Sequence, residues 1–106
     1  MTRYSTGAAF EREVQRDMQS KGYHAIRAAG SHSPVDVYCI SRYRLVYIQC
    51  KTNGRVDPDE WNSFFDYCLE VGAAPIVASR PRITYREITG YKDGSKKKQP
   101  WEEVKL

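Results

Sequence analysis

Asp36, Gln49 and Lys51 stand at spacings that can bring a carboxylate, an amide oxygen and an ammonium onto one face of a β-hairpin. Residues 35–41 and 44–51 are rich in Val, Ile and Tyr and read as two strands joined by Ser41-Arg42-Tyr43-Arg44. With Ile40 facing Leu45 across the turn, the antiparallel register sets Asp36 opposite Gln49. Lys51 lies two residues beyond Gln49 and projects from the same face. A metal-dependent phosphodiesterase needs that inventory: oxygen donors for a hard cation and a positive charge for phosphate. The plainer reading is a structural Asp beside a turn and a polar-x-Lys triplet on a surface. The connecting turn also lacks the Asn-Gly pair of a tight hairpin.

The surrounding elements must hold these groups in place. Ser5 or Thr6 can cap a first helix that ends near Lys21, with Gly22 as its stop signal. At about 100° per residue, Glu11 falls in line with Val14 and Met18, flanked by Phe10, while Glu13, Arg16 and Ser20 point away. An acid on the core-facing stripe is costly unless it meets a cation. Glu11 is therefore either a metal-site residue or a stripe-edge acid paired with a nearby Arg. Residues 23–28 read as a strand, and 29–34 as a polar loop ahead of Asp36.

Both hairpin faces are apolar, with Val35, Val37, Val46 and Ile48 on one and Tyr38, Ile40, Leu45 and Tyr47 on the other. Such strands are central and covered on both sides, so helices are expected on both faces. After the loop 52–55, Asp57, Pro58 and Glu60 form a helix start: a cap, a first-turn proline and an acid at the third position. Trp61, Phe64, Phe65, Cys68 and Leu69 make its apolar face, a core stripe with a share for a dimer partner, and Gly72 closes it. Residues 74–79 and 83–88 read as further strands. The segment 89–106, with Lys96-Lys97-Lys98 and an isolated Trp101, reads as a polar tail, either solvated or touching DNA or a second subunit. The expected fold is α/β: one domain over residues 1–106, with a mixed sheet of about five strands.

At 106 residues the chain is small for an enzyme acting on a large substrate, and dimerisation would enlarge its working surface. Seventeen Lys and Arg against 13 acids give a net charge of +4, which favours a polyanionic partner without demanding one. No apolar run is long enough to span a membrane, and the first residues carry no signal-like apolar segment, so a cytoplasmic location is expected. The three cysteines, Cys39, Cys50 and Cys68, are widely spaced and read as small buried hydrophobes rather than zinc ligands.

Several stretches together resemble a known family. Gly7-Ala8-Ala9-Phe10-Glu11-Arg12-Glu13-Val14, Arg27-Ala28-Ala29-Gly30-Ser31, Val35-Asp36-Val37, Tyr47-Ile48-Gln49-Cys50-Lys51-Thr52 and Gly72-Ala73-Ala74-Pro75-Ile76-Val77-Ala78 are similar to the motifs of the archaeal-type Holliday junction resolvases. These belong to the PD-(D/E)XK nuclease superfamily. The resemblance runs from about Gly7 to Ile88 and implies a restriction-endonuclease-like fold. It further implies a Mg²⁺-dependent, structure-selective endonuclease, with Mn²⁺ able to replace Mg²⁺, working as a homodimer on branched DNA, the four-way junction.

Carried over by position, Glu11 and Asp36 become acidic metal-site residues, Lys51 the catalytic lysine and Ser31 the loop serine near the scissile phosphate; His32 has no counterpart. The family's third motif carries an acid where this chain has Gln49. An amide oxygen ligates Mg²⁺ without adding charge, so the expected metal set is Asp36, Gln49 and Glu11, with reduced affinity. A natural Gln-x-Lys variant is the favoured explanation, ahead of an engineered inactive form or a degenerate nuclease that retains DNA binding. Arg3, Arg12, Arg42, Arg44 and Arg55 are the candidate phosphate contacts. The alternatives are a related nuclease that nicks other branched DNA and a non-catalytic DNA-binding module.

Overall fold

The computed structural model describes residues 3–28, 33–93 and 99–106, with the side chains of residues 3–6 outside that description. In chain order the elements are α1 (Arg3–Ser20), β1 (His24–Arg27), β2 (Val37–Ile40), β3 (Leu45–Cys50), α2 (Pro58–Val71), β4 (Ala74–Ser79), β5 (Thr84–Ile88) and β6 (Trp101–Val104). The strands form one sheet in the order β1-β2-β3-β4-β5-β6. Every neighbouring pair is antiparallel except β3 and β4, which α2 joins in parallel. That crossover needs a helix on the sheet's face, and α2 supplies it.

The two helices cover opposite faces. Phe10, Val14 and Met18 of α1 pack on Val37, Cys39, Val46, Ile48, Ile76 and Ala78. Trp61, Phe64 and Cys68 of α2 pack on Val35, Val56, Ala73, Val77 and Ile88. Alternate residues of β3 and β4 thus serve two cores, which is why these strands carry apolar side chains on both faces. Burial raises the thiols of Cys39 and Cys68 to about 12, so they behave as apolar groups. No described helix is long and apolar enough to cross a membrane.

The structure departs from the sequence expectations at several places. α1 begins at Arg3, so Ser5 and Thr6 lie inside it rather than capping it. The sheet has six strands rather than about five, because part of the expected polar tail becomes β6. Trp101 drives this: it pairs with Ile88 and its ring lies 5.2 Å from that of Trp61. Lys96, Lys97 and Lys98 lie outside the described residues. Val35 joins the α2-side core rather than the side of Val37, because the β2–β3 ladder ends at Val37↔Ile48.

α2 starts as anticipated at Pro58, after Asp57, but the Asp57 side chain makes no capping bond. Gly72 closes the helix in the left-handed region, at φ 75°. Trp61 and Phe64 are fully buried within the chain, which removes them from any dimer contact, while Leu69 is 57% exposed. The β2–β3 turn dispenses with Asn-Gly because the Ser41 hydroxyl accepts bonds from the amides of Tyr43 (3.2 Å) and Arg44 (3.1 Å).

Candidate active site

The turn register Ile40↔Leu45 holds, but the ladder breaks one residue before it would place Asp36 squarely opposite Gln49. The Asp36 amide donates to the Ile48 carbonyl (2.8 Å), and the Cys50 amide donates to Asp36 Oδ2 (2.7 Å). A carboxylate oxygen thus takes the place of a backbone acceptor in the pairing. That bond anchors Asp36 at the point where β2 begins and β3 ends.

Burial is the main influence on Asp36 and raises its carboxyl to about 6. The Cys50 amide opposes this, Glu11 adds to it, Lys51 opposes it, and Glu60 adds to it. Asp36 therefore lies within electrostatic reach of two other carboxylates and one ammonium.

Gln49 is only 4% exposed, and its Oε1 has no hydrogen-bond partner. Its partner across the parallel pair, Val77, belongs to the α2-side core, so Gln49 stands on the α2 face of the sheet. An unsatisfied buried amide oxygen costs roughly 1–3 kcal/mol and calls for a donor or a cation. Lys51 follows on that face. Its Nζ lies 3.0 Å from Glu60 Oε1 and 3.1 Å from Glu60 Oε2, in the first turn of α2.

Glu11 sits on α1, on the other side of the sheet, and pairs with Arg27 at 3.1 Å. Both of its anticipated roles remain in view: it is a stripe-edge acid paired with Arg, and it also raises Asp36. The donors at this sheet end are all oxygens, the set a hard divalent cation prefers, and the orphaned Gln49 oxygen fits such an ion. Among the described residues, no three His, Cys, Asp or Glu side chains are gathered into a ready cation cage.

Of the other anticipated residues, Ser31 and His32 lie outside the described residues, as does the side chain of Arg3. Arg12 is exposed on α1, and Arg55 is exposed on the loop after β3. Arg42 and Arg44 occupy the hairpin turn, at the opposite end of β2 from Asp36, roughly 15 Å away at strand rise. They are not part of the Asp36 cluster, and Arg44 lies 3.9 Å from Glu87.

Two residues escaped the sequence reading. Arg27 became the partner of Glu11, a proximity created by the β1–β2 pairing Arg27↔Val37. Glu60 read only as a helix-start acid, and its spacing from Lys51 gives no local signal of their pairing.

Residues 2–90 match the family described as archaeal Holliday junction resolvase (Hjc). The chain belongs to this family. It is 34% identical over 80 residues to the crossover junction endodeoxyribonuclease Hjc of Methanocaldococcus jannaschii, a match covering 72% of this chain and 59% of that protein. The chain thus aligns with somewhat less than two thirds of that relative's length. Among solved structures it is similar to Hjc of Archaeoglobus fulgidus, a Holliday junction resolvase, with a TM-score of 0.65 and 26% identity. That match covers 77% of this chain and 70% of the other. The family match spans both helices and the hairpin with Asp36, Gln49 and Lys51.

Proposed function

We propose that this Hjc-family chain is a structure-selective endodeoxyribonuclease that resolves four-way DNA junctions by metal-dependent phosphodiester hydrolysis. The observation that supports the reading best is a buried Gln49 amide oxygen without a partner at the end of β3, the strand end where Asp36 and Lys51 lie within electrostatic reach of each other. Asp36 and Gln49, with Glu11 at the rim, would hold Mg²⁺, and Mn²⁺ would serve in its place. When bound, such a cation supplies charge neutralisation at phosphate and acidity toward water.

The chain's own groups do the rest. Lys51 offers its ammonium to the non-bridging oxygens of the scissile phosphate, where negative charge accumulates in the transition state. The Cys50 amide fixes the Asp36 carboxylate, so its free oxygen is presented without a rotamer search. Ser31 is assigned the loop hydroxyl nearest the phosphate. Arg3, Arg12 and Arg55 contact flanking phosphates, and Arg42 and Arg44 meet a more distant stretch of duplex; such contacts read shape and charge.

A homodimer presents two such sites to a two-fold junction, so paired incisions follow from symmetry. A cytoplasmic location fits such work on DNA. A cleavage assay tests the proposal by comparing a four-way junction with duplex, flap and single strand in Mg²⁺ or Mn²⁺. Preferential, paired cutting of the junction is expected. Preferential nicking of another branched DNA would replace the substrate, and tight junction binding with no cutting in either metal would make the chain a DNA-binding module. Sedimentation showing only monomer alongside coupled cutting would remove the dimer.

A further inference from the structure

Lys51 and Glu60 satisfy each other at 3.0 Å, and both lie within electrostatic reach of Asp36, at the strand end where Gln49 is left unsatisfied. Gln49 contributes an oxygen but no charge, and the other acid near Asp36, Glu11, is held by Arg27 at 3.1 Å on the α1 side of the sheet. Glu60 belongs to the same side as Gln49, because α2 covers the face on which Val77, the cross-strand partner of Gln49, is packed. The parallel crossover makes this placement unavoidable: the chain leaves β3 at Cys50 and enters α2 at Pro58, so the first turn of the helix returns to the carboxyl end of β3. The Glu60 side chain is 40% exposed, which leaves it free to turn. Its charge already raises Asp36, so the two carboxylates lie within electrostatic reach of each other.

We propose that Glu60 completes the cation site begun by Asp36 and Gln49, supplying the negative charge that the Gln49 amide lacks. The Glu60–Lys51 pair is then the resting arrangement. When Glu60 turns to the cation, Lys51 is released toward phosphate, so one exchange of partners prepares both charges that the substrate meets. This role rests on the metal-dependent nuclease reading and deepens it.

The test is Mn²⁺ binding to the full chain without DNA, measured by electron paramagnetic resonance, for the parent, Asp36→Asn, Glu60→Gln, Lys51→Met, Lys51→Met/Glu60→Gln and Gln49→Glu/Glu60→Gln. Glu60→Gln should weaken binding about tenfold or more, since affinity follows the count of charged ligands. The same loss should persist in the Lys51→Met background, and Gln49→Glu should restore the affinity lost in Glu60→Gln. Unchanged affinity in Glu60→Gln would overturn the proposal. So would a loss that disappears once Lys51 is Met, because Glu60 would then act only by holding Lys51. Either result, with binding still abolished by Asp36→Asn, leaves the nuclease reading standing, whereas unchanged binding in Asp36→Asn removes both.

Discussion

Replacing Asp36 by Asn should make the metal-free protein more stable at neutral pH, even though it damages the site. Burial raises the Asp36 carboxyl from 3.8 to about 6 in the folded chain. Below pH 3.8 the group is protonated in both folded and unfolded states and costs nothing. As pH rises toward 6, the unfolded chain has released a proton that the folded chain still holds, so stability falls with pH. Above about 6 the loss is complete. A shift of roughly two pH units corresponds to about 3 kcal/mol, an order-of-magnitude figure.

Asn keeps the oxygen that accepts the Cys50 amide and removes the charge. The difference in unfolding free energy between Asp36→Asn and the parent should therefore be near zero at pH 3.5. It should grow in favour of the variant to about 3 kcal/mol by pH 7.5, on the order of 10 °C in Tm for a chain of this size. Urea unfolding across that pH range in a chelator measures it. Saturating Mg²⁺ should then recover much of the deficit in the parent, about 2.7 kcal/mol at a hundredfold excess over Kd, and little in the variant. A pH-independent difference, or a variant less stable at pH 7.5, would show that the folded state does not strain this carboxylate.

Other expectations concern the neighbouring groups. Asp36→Asn should abolish junction cleavage while junction affinity is kept or improved, because a negative charge facing phosphate is removed; filter binding and cleavage on one preparation check it, and robust cutting refutes it. Gln49→Glu should lower the Mg²⁺ concentration for half-maximal cutting and Gln49→Ala should raise it, whereas superimposable metal titrations would place Gln49 outside the cation's shell. Junction affinity should fall steeply with added salt as phosphate contacts release counterions, and a flat salt dependence would contradict the proposed arginine contacts. Trp101→Ala should destabilise the fold by about 2 kcal/mol, since its ring packs on Trp61 and under Arg86, and an unchanged urea midpoint would mean that β6 contributes nothing.

What was legible in the sequence is local. The hairpin register Ile40↔Leu45, the start of α2 at Pro58 and its end at Gly72, and β4 over Ala74–Ser79 all follow from period, proline and glycine within a few residues. Helices on both faces followed from strands apolar on both sides. What escaped depends on partners distant in sequence. Trp101 becomes part of a strand because Ile88 and Trp61 are there to receive it. The break before Val37 arises because the Asp36 side chain takes a bond that a regular ladder would give to backbone. Alternation along the chain carries no trace of that substitution and points Val35 to the face of Val37, whereas it packs on the α2 side. Pairing of Lys51 with Glu60 and of Arg27 with Glu11 likewise requires the folded sheet.

The position of the candidate site follows from the one parallel pair. Antiparallel neighbours close on themselves with short turns, as β2 and β3 do at Ser41–Arg44. The β3–α2–β4 crossover instead brings the first turn of α2 back to the carboxyl end of β3, where Lys51 meets Glu60. Crevices at strand carboxyl ends are where open α/β sheets hold ligands. Here that end also collects two uncomfortable groups: a desolvated carboxyl at Asp36 and a buried, unbonded oxygen at Gln49. Each weakens the fold, and a divalent cation held between them, as proposed above, would offset both at once. Stability lost at one end of the sheet, with apolar cores intact on both faces, is the pattern expected when a fold is shaped for an ion and a phosphate.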